Sequence, residues 1–275
     1  MKIESYAKIN FRLNVLGERP DGYHEVETLM QAIALHDDVF VDWEENTGAP
    51  ECAPGFSITL DPGRDDLPAD SGNLAYRAAM LMHDVFRPML NGRVVIRIVK
   101  RIPVAAGLAG GSGNAAAVMN ALGEMWGIPL EELIKAGARL GADVPFCIAS
   151  QKGMTSAIGL GTGADLTASE PRRFKVLLTT PAISVPTKAV YGALKPADWE
   201  VPYAEYGNHL QAPALRLFPE IQEVLDLHKA LPGQVLTQLS GSGPSVFTLF
   251  DPDAEIPEYT HISSRFHTVL TETLA

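Results

Sequence analysis

Polar and apolar residues alternate from the first positions of the chain. Ile3, Ala7, Ile9, Phe11, Leu13 and Val15 fall on odd numbers, and Lys2, Glu4, Lys8, Asn10, Arg12 and Asn14 on even ones. A period of two over this length predicts a β-strand with one buried face, with Lys8 and Asn10 projecting together from the polar, exposed one. Pro20-Asp21-Gly22 reads as a turn. Second and third strands are predicted near 26–33 and 39–43. Residues 44–72 are rich in Pro, Gly and Asp and read as loops with one short strand, 56–60. The spacing becomes helical over 73–85, through Leu74, Ala78, Leu81, Met82 and Val85, and returns to a strand over 94–99. A glycine-rich loop, 105–113, then leads into a helix over 114–126, its apolar face formed by Ala115, Val118, Met119, Leu122 and Met125. Another helix is predicted over 130–140, stopping at Gly141.

Beyond Thr155, residues 174–179 read as a strand and 208–231 as helical stretches broken by Pro213 and Pro219. Residues 235–239 and 246–250 read as strands around a second glycine-rich turn. Strands and helices come in runs rather than in regular alternation, which predicts an α+β fold. Glycines between 153 and 163 mark the expected domain boundary, dividing the chain into 1–155 and 156–275.

Composition narrows the function. The 275 residues are 46% hydrophobic and 20% charged, an ordinary globular balance, with a formal net charge of −11. Such a chain repels nucleic acid and anionic membranes, so any phosphate must be bound locally, by backbone N–H groups and a few cations. Two cysteines, Cys52 and Cys147, suit a reducing compartment better than a disulfide framework, and no metal-ligand spacing is present. The first residues contain no apolar signal segment, and no uncharged apolar run approaches the ~20 residues that span a bilayer. The expectation is a cytoplasmic protein that does not engage membranes.

The strongest local motif runs Pro103-Val104-Ala105-Ala106-Gly107-Leu108-Ala109-Gly110-Gly111-Ser112-Gly113-Asn114. A strand, a glycine-rich loop and an Ala-rich helix bring backbone N–H groups and the positive end of a helix dipole toward an anion. No Gly-Lys-Ser/Thr closes the loop, so it is not a Walker A motif. Taken alone, it also reads as a flexible loop ending in a serine helix cap. Lys8 alone reads as a solvated strand lysine, Asp143 before Val144-Pro145 as a helix cap, Gly22-Tyr23-His24-Glu25 as a hairpin, and Ser240–Ser245 as a tight turn.

Order and spacing carry more than any single motif. Ser-Tyr-Ala-Lys-Ile-Asn at 5–10, Asp-Gly-Tyr-His-Glu at 21–25, the glycine loop at 103–113, Leu-Gly-Ala-Asp-Val-Pro-Phe at 140–146 and Ser-Gly-Ser-Gly-Pro-Ser at 240–245 together resemble the GHMP kinase superfamily over roughly residues 3–250. Asn73-Leu74, Pro186-Thr187 and Tyr206-Gly207-Asn208 add to the likeness. The resemblance implies two α+β lobes, an N-terminal one like ribosomal S5 domain 2 and a ferredoxin-like C-terminal one. It implies an ATP-dependent small-molecule kinase, acting as monomer or homodimer on the hydroxyl of a cytidine diphosphate-linked polyol.

By that resemblance Lys8 and Asp143 are the catalytic pair. A carboxylate beside an ammonium is a weak base toward an alcohol. In a loose phosphoryl-transfer transition state, therefore, Asp143 orients the acceptor first and takes its proton second. Residues 103–113 surround the ATP phosphates, with Asn73 and Lys100 as further nucleotide contacts. Tyr23 and His24 resemble a cytidine-recognition pair, and Asn10, Thr187, Gly241 and Ser242 match positions near the substrate. Mg²⁺ accompanies ATP through phosphates and water, with no protein carboxylate standing out as its ligand.

Two residues depart from the superfamily's Gly-Leu-Gly-Gly-Gly-Ser-Ser-Asn/Asp pattern. Ala109 stands where a glycine is usual, adding a methyl where positive φ is needed. Gly113 stands for the second serine and removes a hydroxyl. Three other readings remain. Another kinase of the same superfamily is opposed by Tyr23-His24, and a non-catalytic nucleotide-binding relative by the presence of both Lys8 and Asp143. An RNA-binding module is opposed by the net charge.

Overall fold

The computed structural model describes residues 1–45, 55–87 and 89–275. Cys52 and part of the predicted 44–72 loop lie outside the described residues. The chain forms two compact units from interleaved segments. The first comprises Met1–Tyr6, His36–Ile102 and Gly110–Met154; the second comprises Ala7–Leu35, Pro103–Ala109 and Thr155–Ala275. Two long strands, β1 (Lys2–Glu18) and β2 (His24–Glu45), run through both.

In the first unit the C-terminal half of β2 pairs antiparallel with β4 (Gly92–Val99), from Asp38 opposite Val99 to Glu45 opposite Gly92. β3 (Phe56–Asp61) lies parallel to β4. Four helices complete this unit: α1 (Leu74–Phe86), α2 (Gly110–Trp126), α3 (Leu130–Gly137) and α4 (Val144–Ser150). In the second unit, the N-terminal half of β2 pairs with β5 (Ser156–Gly161), which pairs with β6 (Asp165–Ala168). β8 (Gly207–Asn208) adds to β1 beside Arg12 and Leu13. A separate antiparallel sheet has the order β11 (His267–Glu272), β7 (Lys175–Thr180), β10 (Val246–Phe250), β9 (Leu236–Leu239). Helices α5 (Thr187–Gly192), α6 (Gln211–Leu217), α7 (Glu220–Lys229) and α8 (Thr260–Ser263) accompany it. The second unit's core gathers Leu13, Val15 and Val26 with Val190, Leu210, Ile221, Val224, Leu225 and Val246.

The α+β class follows from these elements, and five local expectations change. The strands predicted at 26–33 and 39–43 are one strand, because the polar break between them, His36-Asp37-Asp38, is accommodated in place by ionic partners. Both faces of β1 are buried in its middle: Lys8 is 4% exposed and Asn10 2%. The face expected to meet solvent is covered within the second unit, where Lys8 N donates to Leu108 O at 3.1 Å and Gln238 Nε2 donates to Asn10 O and Phe11 O. The glycine-rich run is only half a loop, since α2 starts at Gly110 and places Ser112 and Gly113 in its first turn. α2 is also buried all round from Gly113 to Gly123, packed against α1, α3 and α4, while Met125 is exposed. α3 ends at Gly137, short of the expected Leu140. Among the described residues, no helix is long and apolar enough to cross a membrane.

Candidate active site

The second unit gathers one set of the sequence-identified residues around β1. Lys8 Nζ donates to Asn10 Oδ1 at 2.8 Å, and Asn10 Nδ2 donates to Thr28 Oγ1 at 2.8 Å, so strand pairing fixes the lysine's acceptor. Pro103, Val104, Ala105, Ala106, Gly107, Leu108 and Ala109 belong to the same unit, with Val104 and Ala105 exposed and Ala106 and Leu108 buried. Ser240 Oγ donates to Gly107 O at 2.9 Å, and Ser245 N to Ala106 O at 3.3 Å, tying this loop to the turn between β9 and β10. The approach is close enough that a Cβ on Gly107 would stand 2.3 Å from Ser240 O and 2.8 Å from Gly243 O. Gly107 has φ +75°, and its neighbours Ala105 and Ala109 also adopt left-handed values, +53° and +57°.

Gly241 lies against the Lys8–Asn10 pair: a Cβ there would be 3.5 Å from Asn10 Oδ1 and 3.8 Å from Lys8 Nζ. Asn208 holds that turn, donating through Nδ2 to Leu239 O and Gly241 O. Thr187 Oγ1 and Ser242 Oγ are 2.9 Å apart. Tyr23 and His24 separate: Tyr23 is 66% exposed, whereas His24 packs with Tyr191 and Trp199 at centroid distances of 5.3 and 5.8 Å. Its Nε2 is buried without a hydrogen-bond partner among the described residues.

In the first unit a carboxylate the sequence reading passed over, Asp37, organises the ground around Lys100 and α2. Asp37 is fully buried. Its Oδ2 accepts from Lys100 Nζ at 2.5 Å and from Asn114 Nδ2 at 2.9 Å; its Oδ1 accepts from the backbone N–H of Arg101 at 2.7 Å and of Ile102 at 2.9 Å. A buried carboxylate needs such a set of donors, because an unanswered charge is too costly to remove from water. An Asp pair interrupting a strand pattern was the available signal. Lys100 also donates to Asn114 Oδ1 at 3.1 Å. Gly110, Gly111, Ser112 and Gly113 form the opening turn of α2, with Gly111 exposed and Gly113 buried.

Asn73 caps α1, accepting from Ala75 N at 3.0 Å and donating to Pro68 O at 2.9 Å. Asp143 occupies the cap position of α4, but its side chain makes no capping bond. Cys147 is buried on α4. The described His, Asp and Glu groups that could share a metal are Glu4, His36 and Asp38. Asp38 already faces Lys2 at 2.9 Å and Arg101 at 2.7 Å; hydrogen bonds from Arg101, then Lys2, pull its carboxyl down to about 2. That cluster is electrostatically answered and does not suit Mg²⁺.

A family model for the GHMP kinases N terminal domain matches residues 73–151. A 4-diphosphocytidyl-2-C-methyl-D-erythritol kinase from Brevibacillus brevis (strain 47) is 36% identical over 277 residues, covering 93% of this chain and 89% of the relative. The enzyme of the same name from Acetivibrio thermocellus is also 36% identical, covering 93% of this chain and 92% of its own. Among solved structures, a 4-(cytidine 5'-diphospho)-2C-methyl-D-erythritol kinase matches with a TM-score of 0.76 at 31% identity over 99% of both chains.

Proposed function

We propose that this chain, which belongs to the GHMP kinases and within them to the family of 4-diphosphocytidyl-2-C-methyl-D-erythritol kinases, moves the γ-phosphate of ATP onto the 2-hydroxyl of 4-diphosphocytidyl-2-C-methyl-D-erythritol. That reaction is a step of non-mevalonate isoprenoid biosynthesis. The observation that carries this reading is near-complete overlap with relatives of that name at 36% identity. The finer assignments rest on residue chemistry.

Phosphoryl transfer asks a protein mainly for positioning and charge stabilisation. Lys8, buried and aimed by Asn10, is suited to stabilise charge on the transferring group, since an ammonium removed from water interacts more strongly. Asp143, at the cap position of α4, is assigned to orient the acceptor hydroxyl and take its proton as the new bond forms. Residues 103–113 are assigned to the ATP phosphates, which the opening N–H groups of α2 and its dipole favour. Asn73 and Lys100 are assigned to the nucleotide side, both through elements they already brace. MgATP is the substrate form, the ion carried by phosphate oxygens and water.

Tyr23 offers an exposed aromatic face and His24 a ring nitrogen for a cytosine edge, with Asn10, Thr187, Gly241 and Ser242 nearer the polyol. The lobes are assigned to 1–155 and 156–275, in a cytoplasmic monomer or homodimer. The test is ADP release by purified protein with MgATP and the cytidyl substrate, beside Asp143→Ala. Substrate-dependent turnover lost by about 10³-fold or more in the variant supports the reading. Turnover with homoserine or mevalonate in place of the cytidyl compound overturns it.

A further inference from the structure

The pattern seen in the sequence puts a serine at 113, and this chain has glycine there. The first unit supplies a physical reason. A Cβ on Gly113 would stand 2.6 Å from Ser5 Oγ, closer than real Cβ atoms come, and a tight 3.3 Å from Tyr6 O. Ser5 is fully buried on β1, and its Oγ accepts from Asn114 Nδ2 at 3.1 Å. The hydroxyl missing from α2 therefore has a counterpart on the neighbouring strand, and the two cannot both be present without displacement.

We propose that Ser5 is a positioning residue of the phosphate-binding turn, its strand-borne hydroxyl replacing one on residue 113 and holding Asn114, and with it the start of α2, in register with Asp37 and Lys100. Asn114 is held at every polar atom. Nδ2 donates to Ser5 and Asp37, and Oδ1 accepts from Lys100. Gln151 Nε2 fastens the same turn by donating to Gly113 O at 2.9 Å. Asp37 also grips the N–H groups of Arg101 and Ile102, so the segment entering the loop and the helix leaving it share one carboxylate. Removing the Ser5 hydroxyl leaves Asn114 one partner short and loosens the N–H groups that would face the γ-phosphate. Ser5 itself, being buried, touches no ligand.

This proposal rests on the assignment of the loop to ATP, so its test separates the two. Ser5→Ala, Gly113→Ser and the double variant are compared with the wild-type chain for KM(ATP), kcat, acceptor KM and melting temperature. Ser5→Ala is expected to raise KM(ATP) about three- to tenfold, the effect of one neutral hydrogen bond, with kcat and acceptor KM within about twofold. Gly113→Ser alone is expected to raise KM(ATP) more than about tenfold and to lower the melting temperature. In the double variant the serine finds the space that Ser5 vacated, and KM(ATP) returns to within about threefold of wild type. Losses that multiply in the double variant, or a Ser5→Ala enzyme with unchanged KM(ATP), overturn the proposal. If the wild-type chain binds no ATP, the kinase reading fails by itself. The Ser5–Gly113 coupling is then judged on melting temperature, where recovery in the double variant supports it and additive loss refutes it.

Discussion

At the scale of single residues, three consecutive odd positions of the glycine-rich loop, 105, 107 and 109, adopt left-handed backbone, and only one of them is glycine. Gly107 needs to be one twice over, for its φ of +75° and for the 2.3 Å that would separate a Cβ from Ser240 O. Gly107→Ala is expected to cost more than about 2 kcal/mol in urea unfolding and to abolish turnover, because the turn at 240–245 must move to admit the methyl. Ala109 has the same backbone sign, +57°, and an L-residue there costs ~1–2 kcal/mol that glycine avoids. Glycine also gives the unfolded chain more freedom, so Ala109→Gly should stabilise the protein by only about 0.5–1 kcal/mol. A loss of stability of that size in Ala109→Gly would instead mean an ordinary right-handed backbone at 109. The motif made this departure visible in the sequence; the matching strain at Ala105 was not, since nothing in a single sequence distinguishes an alanine held at positive φ.

At the scale of elements, what was legible depended on whether local pattern or a distant partner governed. α1, β10 and the Pro20–Gly22 turn appeared close to their observed places because periodicity and turn chemistry are local signals. The unity of β2 was hidden by His36-Asp37-Asp38, whose charges look like a loop until Lys100, Asn114 and two backbone N–H groups, all distant in sequence, are seen to answer Asp37. The burial of Lys8 was hidden in the same way, because alternation reports that two faces differ, not that both are covered. The Asp37 hub gives an element-scale prediction. Asp37→Ala leaves the Lys100 ammonium buried at 8% side-chain exposure without its counter-charge, and should cost about 3–5 kcal/mol. Asp37→Leu combined with Lys100→Met removes both charges and should cost markedly less. Chevron or urea titrations of the three proteins decide it, and equal losses in single and double variants would show that the charge pair is not what joins β2 to the start of α2.

At the scale of the molecule, both compact units are assembled from segments far apart in sequence. β1 and β2 contribute residues to each of them. The second unit also contains a group that makes its stability depend on pH. His228, on α7 and fully buried, bridges two strands of the antiparallel sheet, with Nδ1 2.7 Å from Thr248 Oγ1 and Nε2 2.8 Å from Thr179 Oγ1. Burial, with a smaller push from His261, lowers it from 6.5 to about 4. Above pH 6.5 the imidazole is neutral whether the chain is folded or not, and its contribution is whole. Below 6.5 the unfolded chain takes up a proton that the folded one refuses until about pH 4. Stability therefore falls through this window, by about 3 kcal/mol once both states are protonated. His228→Gln is expected to be less stable at pH 7, since a flexible amide with both polar atoms on one carbon spans the two threonines less well than a rigid ring, yet to lose stability more gently between pH 6.5 and 4. Urea midpoints measured across that range give the comparison, with the other histidines common to both proteins. Parallel curves would mean that His228 accepts its proton in the folded sheet as readily as in the open chain, and that α7 is not sealed against β7 and β10.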